Sequence, residues 1–180
     1  MIKNQEKLYE ELLVLKCQEG DSEAFDELVN RYQKRLWKHA FYLTNNEEVA
    51  WDILQEAWMA IVKGMSKLQD PSAFLGWAYK IVSNKCNDWL RKQVRRRKLH
   101  ENFREELISI PDDLEEYNSL KEALQKLPGD YRAIISLKYL EGFDVNDISE
   151  ILGIPAGTVK SRLFHGRDKL KKVMESDSNG

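Results

Sequence analysis

Residues 144–170, DVNDISEILGIPAGTVKSRLFHGRDKL, contain two helical patterns joined by a short turn. Asp144 stands where an N-cap is expected, and Asp147, three residues on, completes an acidic variant of the capping box. Gly153 suits the left-handed position that ends a helix, and Pro155 is tolerated in the first turn of the next one. The pattern predicts a helix-turn-helix, the motif whose second helix enters the major groove of DNA.

The second helix of this motif separates into two faces when its residues are spaced by about 100°. The face expected to pack on the domain core consists of Val159, Leu163, Gly166, Leu170 and Val173. The opposite face carries Lys160, Ser161, Phe164, His165, Asp168, Lys171 and Lys172, with Arg162, Arg167 and Lys169 on its flanks. Phe164 therefore points away from the core, and an aromatic ring on a basic face can contact a thymine methyl group. The alternative is that Phe164 packs over another element of its own domain.

Helical patterns also account for most of the remaining chain, and they predict an all-α fold. Stretches of alternating β-branched residues are absent, and the four prolines all fall between helical patterns. Four helices are expected in the N-terminal half: one to about residue 19, one capped by Asp21 or Ser22, one capped within residues 44–48, and one capped by Ser72 and reaching about residue 97. The C-terminal half is expected to hold helices over 120–127, 131–141, 144–152 and 156–173, followed by a frayed tail.

Charge is distributed unevenly along the chain, although the net charge of its 180 residues is only −2. Residues 91–100 contain six basic and no acidic side chains, residues 101–117 contain seven acidic against one basic, and residues 157–172 contain six basic against one acidic. Each basic patch is suited to meeting phosphate. We expect two small helical domains, over residues 1–97 and 117–180, joined by a flexible acidic linker over residues 98–116.

Motifs typical of enzymes and metal sites are missing from the sequence. Cys17 and Cys86 lack a metal-binding spacing, the three histidines are far apart, and no P-loop, HExxH or GxSxG pattern occurs. No apolar run is long enough to cross a bilayer, and the polar start of the chain is unlike a signal peptide. We therefore expect a cytoplasmic protein that is not an enzyme, inserts into no membrane, and needs neither a metal nor a cofactor.

Two polar faces in the N-terminal domain are further candidates for binding. Lys80, Asn84, Asn87, Arg91 and Arg95 share one face of the fourth helix, and Trp77 lies on it. Asn can hydrogen-bond a base edge, Arg binds phosphate, and an aromatic ring can stack on an unpaired base. Trp77 is equally compatible with the edge of the core. Asp52, Gln55, Glu56 and Met59 share a face of the third helix, for which spacing alone favours a solvated surface over a docking face for a basic partner.

Three motifs, in this order, resemble the bacterial extracytoplasmic-function (group IV) sigma factors. They are DILQEAW (52–58), FLGWAYKIVSNKCNDWLR (74–91) and LPGDYRAIISLKYLEGFDVNDISEILGIPAGTVKSRLFHGRDKL (127–170). The resemblance implies a dissociable initiation subunit of RNA polymerase that directs the core enzyme to specific promoters and helps to open the −10 region. It also implies an anti-sigma factor as a further partner. The resemblance further implies that the acidic linker passes through a basic channel of the polymerase.

The resemblance assigns the candidate residues to three surfaces. Core polymerase would bind the third helix at Asp52, Gln55, Glu56 and Met59. The resemblance thus favours a docking face, whereas spacing alone favours a solvated surface. The −10 element would be read by the loop from Gly64 to Leu68 together with Trp77, Tyr79, Lys80, Asn84, Asn87, Arg91 and Arg95. The −35 element would be read by Lys160, Ser161, Arg162, Phe164, His165 and Arg167.

Some positions depart from the family pattern. His165 and Gly166 stand where Arg-Ala is usual, and Asp147 replaces the usual Glu. A histidine is a weaker and pH-dependent phosphate contact, and a glycine inside a helix costs about 1 kcal/mol relative to alanine. The main alternative is a stand-alone helix-turn-helix regulator that binds DNA as a dimer. Such a regulator has no need of the third-helix face or of the Trp/Asn face of the fourth helix.

Overall fold

Seven α-helices and no strand form the part of the chain that the computed structural model describes, residues 2–97, 123–124 and 126–178. The helices are α1 (Ile2–Gln18), α2 (Ser22–Thr44), α3 (Glu47–Gly64), α4 (Phe74–Arg97), α5 (Gly129–Ile135), α6 (Val145–Leu152) and α7 (Ala156–Ser178). A π-helical segment, Ser136–Leu140, continues α5. The all-α prediction is confirmed, whereas the predicted linker over residues 98–116 lies outside the described residues.

Side-chain caps set the helix boundaries in the N-terminal domain. Asp21 accepts hydrogen bonds from the backbone N–H groups of Glu23 and Ala24 at 2.9 and 3.1 Å, which starts α2. Asn46 starts α3 in the same way. The predicted cap of α4 is wrong: Asp70, not Ser72, is the capping side chain, and it caps a 3-10 turn, Pro71–Ala73, that leads into α4. Asp70 takes this role because the next residue is Pro71, whose fixed φ suits the first position of a helical turn.

The core of the N-terminal domain lies between α2, α3 and α4. Its fully buried side chains follow the helical spacing seen in the sequence, and they include Leu28, Tyr32, Leu36, Ala50, Ile61, Ala78 and Val82. Cys86 is buried among them and Cys17 is half-buried, both as free thiols. Burial raises the pKa of Cys86 to about 12 and that of Cys17 to about 11. These thiols are therefore protonated at neutral pH and unreactive.

One buried histidine makes the stability of this domain depend on pH. His39 Nε2 lies 2.8 Å from the Ser83 hydroxyl, and burial lowers the pKa of His39 to about 3. An unfolded chain takes up this proton near pH 6.5. Between these two values the unfolded state binds more protons than the folded state, so stability falls as the pH falls.

We expect the wild-type protein to lose about 2 kcal/mol more of its unfolding free energy between pH 7 and pH 5 than His39→Gln loses. Urea titrations of both proteins at the two pH values measure the difference. The variant keeps every other ionisable group, so it serves as the control for carboxylates that titrate in the same range. Equal losses in the two proteins would show that His39 is not buried in its neutral form.

Caps and close contacts also define the C-terminal domain. The predicted capping box is present. The Asp144 carboxylate accepts a hydrogen bond from the Asp147 backbone N–H, and the Asp147 carboxylate accepts one from the Asp144 backbone N–H. Gly153 has φ +65°, as its predicted position requires. A Cβ atom at Gly166 would lie 2.9 Å from Ile135 Cδ1, so a glycine lets α7 approach α5 closely. The predicted frayed tail is wrong up to Ser178, because α7 continues to that residue. No glycine or proline occurs between Gly166 and Gly180.

The two domains pack against each other. Helices α2 and α4 of the N-terminal domain contact α5 and α6 of the C-terminal domain. Leu137, Ile148 and Val159 belong to the same continuous cluster of buried residues as Leu28 and Leu36. The structure therefore joins the two predicted domains through a shared apolar interface.

Candidate nucleic-acid interface

The second helix of the helix-turn-helix, α7, has the two faces predicted from its sequence. Val159, Leu163 and Gly166 are buried against the rest of the C-terminal domain. Phe164 is 63% exposed, and its recorded ring contact is with the neighbouring His165 at 5.4 Å between centroids. The interpretation in which Phe164 packs over another element of its own domain is therefore wrong. The structure instead presents Phe164 to solvent on a basic face.

Most basic and polar side chains around Phe164 also point outward. Lys160, Ser161, His165 and Arg167 are exposed. Arg162 is half-buried on the flank, and its Nη2 lies 3.6 Å from an Asp130 carboxylate oxygen. This contact orients the Arg162 side chain across the start of α5. The face of α7 thus combines exposed cations with an aromatic ring and the polar side chains of Ser161 and His165, groups that can contact phosphates and base edges.

Helix α4 carries a second basic face. Lys80, Asn84, Arg91 and Arg95 are exposed, and Asn87 is half-buried. Arg91 lies 3.5 Å from Asp88, and the Arg95 guanidinium donates to the Arg91 carbonyl oxygen at 3.3 Å. Both contacts are on the surface and hold the arginine side chains along the helix. The structure brings these five predicted residues together on one face.

Trp77 lies at the edge of the core and supports the loop after α3. A Cβ atom at Gly64 would lie 2.8 Å from Trp77 Cζ2, so the indole packs directly on this glycine. Gln18 donates to the carbonyl oxygens of Met65 at 3.0 Å and Leu68 at 2.7 Å. The loop from Gly64 to Leu68 is therefore held by α1 on one side and by the Trp77 ring on the other. The sequence is compatible with Trp77 either on the polar face of the fourth helix or at the edge of the core. The structure places this half-buried ring at the edge of the core.

Tyr79 does not share the exposed face of α4. Its side chain is buried between the His39 ring, with centroids 5.0 Å apart, and the Phe143 ring at 5.4 Å. Five residues separate Tyr79 from Asn84, which turns the two side chains about 140° apart around the helix. Burial, followed by the charge of Glu141, raises the pKa of Tyr79 well above its ordinary value. The structure thus separates Tyr79 from the other residues predicted to meet the −10 element.

Helix α3 exposes a stripe of mixed acidic and apolar character. Asp52, Gln55 and Glu56 are exposed, and Met59 is 59% exposed. Trp51 and Val62 lie on the same side of the helix and are also exposed. Glu56 forms an ion pair of 2.9 Å with Lys85 of α4. Exposed apolar side chains that are grouped together and rimmed by polar ones can mark a surface that binds another protein.

The described residues offer no group of three or more His, Cys, Asp or Glu side chains that could hold a metal ion. Over the same part of the chain, no helix is sufficiently long and apolar to span a bilayer. Three residues of structural importance were missed in the sequence: Gly129, Glu141 and Phe143, which contact the N-terminal domain. Their partners are distant in sequence, so no spacing pattern could have revealed them.

Two protein families match separate parts of the chain, and each part contains one of the two basic faces. Residues 28–96 match the family described as Sigma-70 region 2, and residues 117–170 match Sigma-70, region 4. The ECF RNA polymerase sigma-E factor of Escherichia coli is 31% identical over 185 residues, which covers 94% of this chain and 96% of the relative. The ECF RNA polymerase sigma factor SigW of Bacillus subtilis is 29% identical over 176 residues, covering 89% and 94%.

Solved structures share the fold. The sigma factor RpoE of Bartonella quintana, in complex with the anti-sigma factor NepR, matches with a TM-score of 0.72 and 24% identity, over 85% of this chain and 98% of that one. CnrH, in complex with the cytosolic domain of CnrY, matches with a TM-score of 0.62 and 22% identity, over 93% and 98%. The two family matches and the 31% identical relative show that the chain belongs to the ECF sigma factors, the initiation factors that direct RNA polymerase to promoters.

Proposed function

We propose that this sigma factor reads its promoters at two points, with α4 and its preceding loop at the −10 element and with α7 at the −35 element. The observation that carries this assignment is the outward position of Phe164 among Lys160, Ser161 and His165 on α7. A helix-turn-helix places this face of its second helix in the major groove, where an aromatic ring can contact a thymine methyl group.

At the −35 element, the side chains of α7 divide into two groups. Lys160 and Arg167 are charged and exposed, and their spacing of seven residues puts them on the same side of the helix, which suits phosphates along one edge of the groove. Ser161, Phe164 and His165 are shorter or apolar and lie on the central strip, where base edges and thymine methyl groups are presented. Arg162, oriented by Asp130, reaches the flank of the same groove.

At the −10 element, the exposed face of α4 meets a strand that has been separated from its partner. Asn84 is placed to hydrogen-bond a base edge, and Lys80 and Arg91 to neutralise phosphates. The loop from Gly64 to Leu68, braced by Trp77, borders this face and would hold an unstacked base. Tyr79 does not belong to this surface, because its ring is buried between those of His39 and Phe143.

The exposed stripe of α3 is the proposed contact with core RNA polymerase. Asp52, Gln55 and Glu56 supply polar and acidic contacts, and Met59 supplies an adaptable apolar one. We further propose an anti-sigma factor as a partner, since the sigma factor RpoE of Bartonella quintana, which shares this fold, was solved in complex with the anti-sigma factor NepR. The role needs no catalysis and no cofactor, and it belongs in the cytoplasm, where RNA polymerase meets the chromosome.

The proposal is tested by promoter-directed initiation with the reconstituted holoenzyme. Transcript start sites mapped after overexpression provide the promoters, and run-off transcription then compares variants. Phe164→Ala should lower initiation about tenfold at promoters with an intact −35 element, because it removes the ring proposed to contact the bases, and a tenfold loss corresponds to about 1.4 kcal/mol. Tyr139→Ala is the control, because Tyr139 is a similarly exposed aromatic (53%) of the same domain that lies outside α7. Equal effects of the two substitutions would contradict the assignment of α7.

Asn84→Ala separates −10 recognition from the other steps. Because Asn84 is exposed and distant from α3, its substitution should leave co-elution with sigma-free core polymerase unchanged. Promoter opening, followed by permanganate reactivity of unpaired thymines, should fall. Loss of both properties to the same degree would instead make Asn84 a structural residue.

A further inference from the structure

Arg132, on α5, is a charged side chain in the interior of the protein, where it is only 5% exposed. Its Nη1 donates to the Asn45 side-chain oxygen at 3.3 Å, and its Nη2 donates to the Leu127 carbonyl oxygen at 3.1 Å. Its Nε is buried and has no hydrogen-bond partner among the described residues. Both acceptors are neutral, so these contacts do not balance the positive charge of the guanidinium.

The carboxylates around Arg132 are engaged with other arginines. Asp130, two residues earlier on α5, lies 3.6 Å from Arg162 Nη2. Glu141 Oε2 accepts from Arg35 Nε at 2.7 Å and also from Arg35 Nη2. Charged side chains are almost never fully buried unless they are paired. Within the described part of the chain, Arg132 is therefore an unusual buried cation, because it has no carboxylate partner.

The C-terminal end of α2 offsets part of this charge. A Cβ atom at Gly129, the first residue of α5, would lie 2.8 Å from the Tyr42 carbonyl oxygen, so a glycine lets α5 approach the last turn of α2 closely. The Arg132 guanidinium lies over the Tyr42 ring, 5.9 Å from its centroid. The C-terminal end of a helix carries roughly half of one negative charge. An anion is needed to supply the remainder.

A cavity of about 710 Å³ lies beside the Arg132 side chain, which forms part of its wall. Trp89, Leu127 and Pro128 form apolar parts of the wall, and Asn45 is one of its polar residues. The described residues contribute no carboxylate to the lining. A volume of this size is typical of sites for small molecules, which combine apolar walls with a few polar groups.

Two asparagines in the cavity wall, Asn45 and Asn46, have their side-chain oxygens occupied. Asn45 Oδ1 accepts from Arg132, and Asn46 Oδ1 accepts from the Val49 backbone N–H at 3.0 Å. These contacts identify the oxygen of each amide and leave its NH2 group as a donor. Neither NH2 group donates to another described residue. An anion in the cavity can therefore meet two amide donors as well as the guanidinium.

We propose that this cavity binds a small organic anion whose carboxylate or phosphate group is held by Arg132, Asn45 and Asn46. The charge and the NH2 donors suit an anionic head group, because hydrogen bonds to a charged group are the strong ones. Trp89 and Leu127 suit an apolar body such as a ring. The inference is independent of promoter reading, since none of these residues belongs to the proposed DNA or polymerase surfaces.

Isothermal titration calorimetry of the full-length protein tests binding with four probes. Phenyl phosphate or benzoate should bind with a Kd of about 1 mM, a usual value for ligands this small. The tighter of the two identifies the preferred head group. Inorganic phosphate lacks the apolar body and benzyl alcohol lacks the charge, so each should bind at least about tenfold more weakly. Absence of binding by both phenyl phosphate and benzoate would overturn the proposal, as would equally tight binding of inorganic phosphate, which indicates an adventitious ion only.

Asn46→Asp removes one NH2 donor and adds a negative charge, and it keeps a side-chain oxygen that can cap α3. It should weaken the binding of phenyl phosphate and benzoate at least about tenfold and leave the protein folded. Asn30→Asp is the matched control, because it makes the same change at an exposed position of α2 about 22 Å from Asn45. Equal affinity of the two variants for both probes would contradict the proposed site.

Asn45→Asp tests the unbalanced charge of Arg132 without any ligand. The new carboxylate replaces the amide oxygen that now lies 3.3 Å from Arg132 Nη1, and Asp tolerates the left-handed φ of +52° at this position. A negative charge at a helix C-terminus ordinarily costs stability, so a gain is specific to pairing with Arg132. The thermal midpoint at pH 7 should rise by about 2–4 °C, and both probes should bind more weakly. A midpoint below that of the wild type would show that Arg132 is already balanced and would overturn the proposal.

Discussion

Charge reversal of Asp52 and Glu56 to lysine should weaken the binding of core RNA polymerase about 100-fold, which corresponds to about 2.7 kcal/mol. Both carboxylates are exposed on α3 beside the apolar side chains of Met59 and Trp51. The substitution removes two acidic contacts at the proposed docking surface and introduces repulsion toward a basic partner. Titration of sigma-free core polymerase with a fluorescently labelled sigma factor measures the change.

The control for this variant has to match its change of charge without touching α3. Asp26→Lys combined with Glu19→Lys reverses two exposed carboxylates outside α3 and should leave the affinity for core polymerase within about twofold of the wild type. Reversal of Glu56 also removes its ion pair with Lys85, an exposed pair of small energetic weight. Thermal melts should therefore show both variants folded. Normal core binding by the Asp52/Glu56 variant would contradict the assignment of α3.

Leu137→Ala should destabilise the protein by about 2–5 kcal/mol, the largest stability effect that we expect from a single substitution. Leu137 is fully buried in the π-helical segment after α5, within the cluster that joins the two domains. Truncation removes three heavy atoms from this cluster and leaves a cavity that the surrounding helices cannot fill completely. Urea unfolding followed by circular dichroism measures the loss, and the midpoint should shift to lower urea.

Leu140→Ala is the matched control, since it makes the same chemical change three residues later. Leu140 is 51% exposed, so its truncation should alter the unfolding free energy by no more than about 0.5 kcal/mol. A similar cost for both leucines would mean that the C-terminal domain is rotated on its neighbour relative to the arrangement described here.

Patterns within short stretches of the sequence predicted much of the architecture. The caps Asp21, Asn46 and Asp144 and the left-handed Gly153 act on groups within a few residues, so their roles could be inferred from short stretches. The error at Ser72 has the same origin, because Asp70 and Ser72 are both good capping residues at the same turn and propensity alone did not rank them. The exposure of Phe164 followed from the period of the helix.

Site residues were predicted less evenly. Helical periodicity predicted correctly which side chains are exposed on the α7 face and on most of the α4 face, because each face lies on a single helix. It could not assign Trp77, whose position depends on the approach of Gly64 from another helix. Nor could it show that Tyr79 is covered, since the covering ring belongs to a residue 64 positions later in the chain.

Helical periodicity and capping act over a few residues. The sequence alone was therefore enough to predict the all-α class, the helix-turn-helix and the outward faces of α3, α4 and α7. The packing of the two domains against each other was decided by contacts between residues far apart in the chain. Arg35 and Glu141 are 106 positions apart, and Gly129 meets a backbone carbonyl rather than a side chain. Such contacts depend on how completed helices fit together in three dimensions, and no periodicity in the chain encodes that fit.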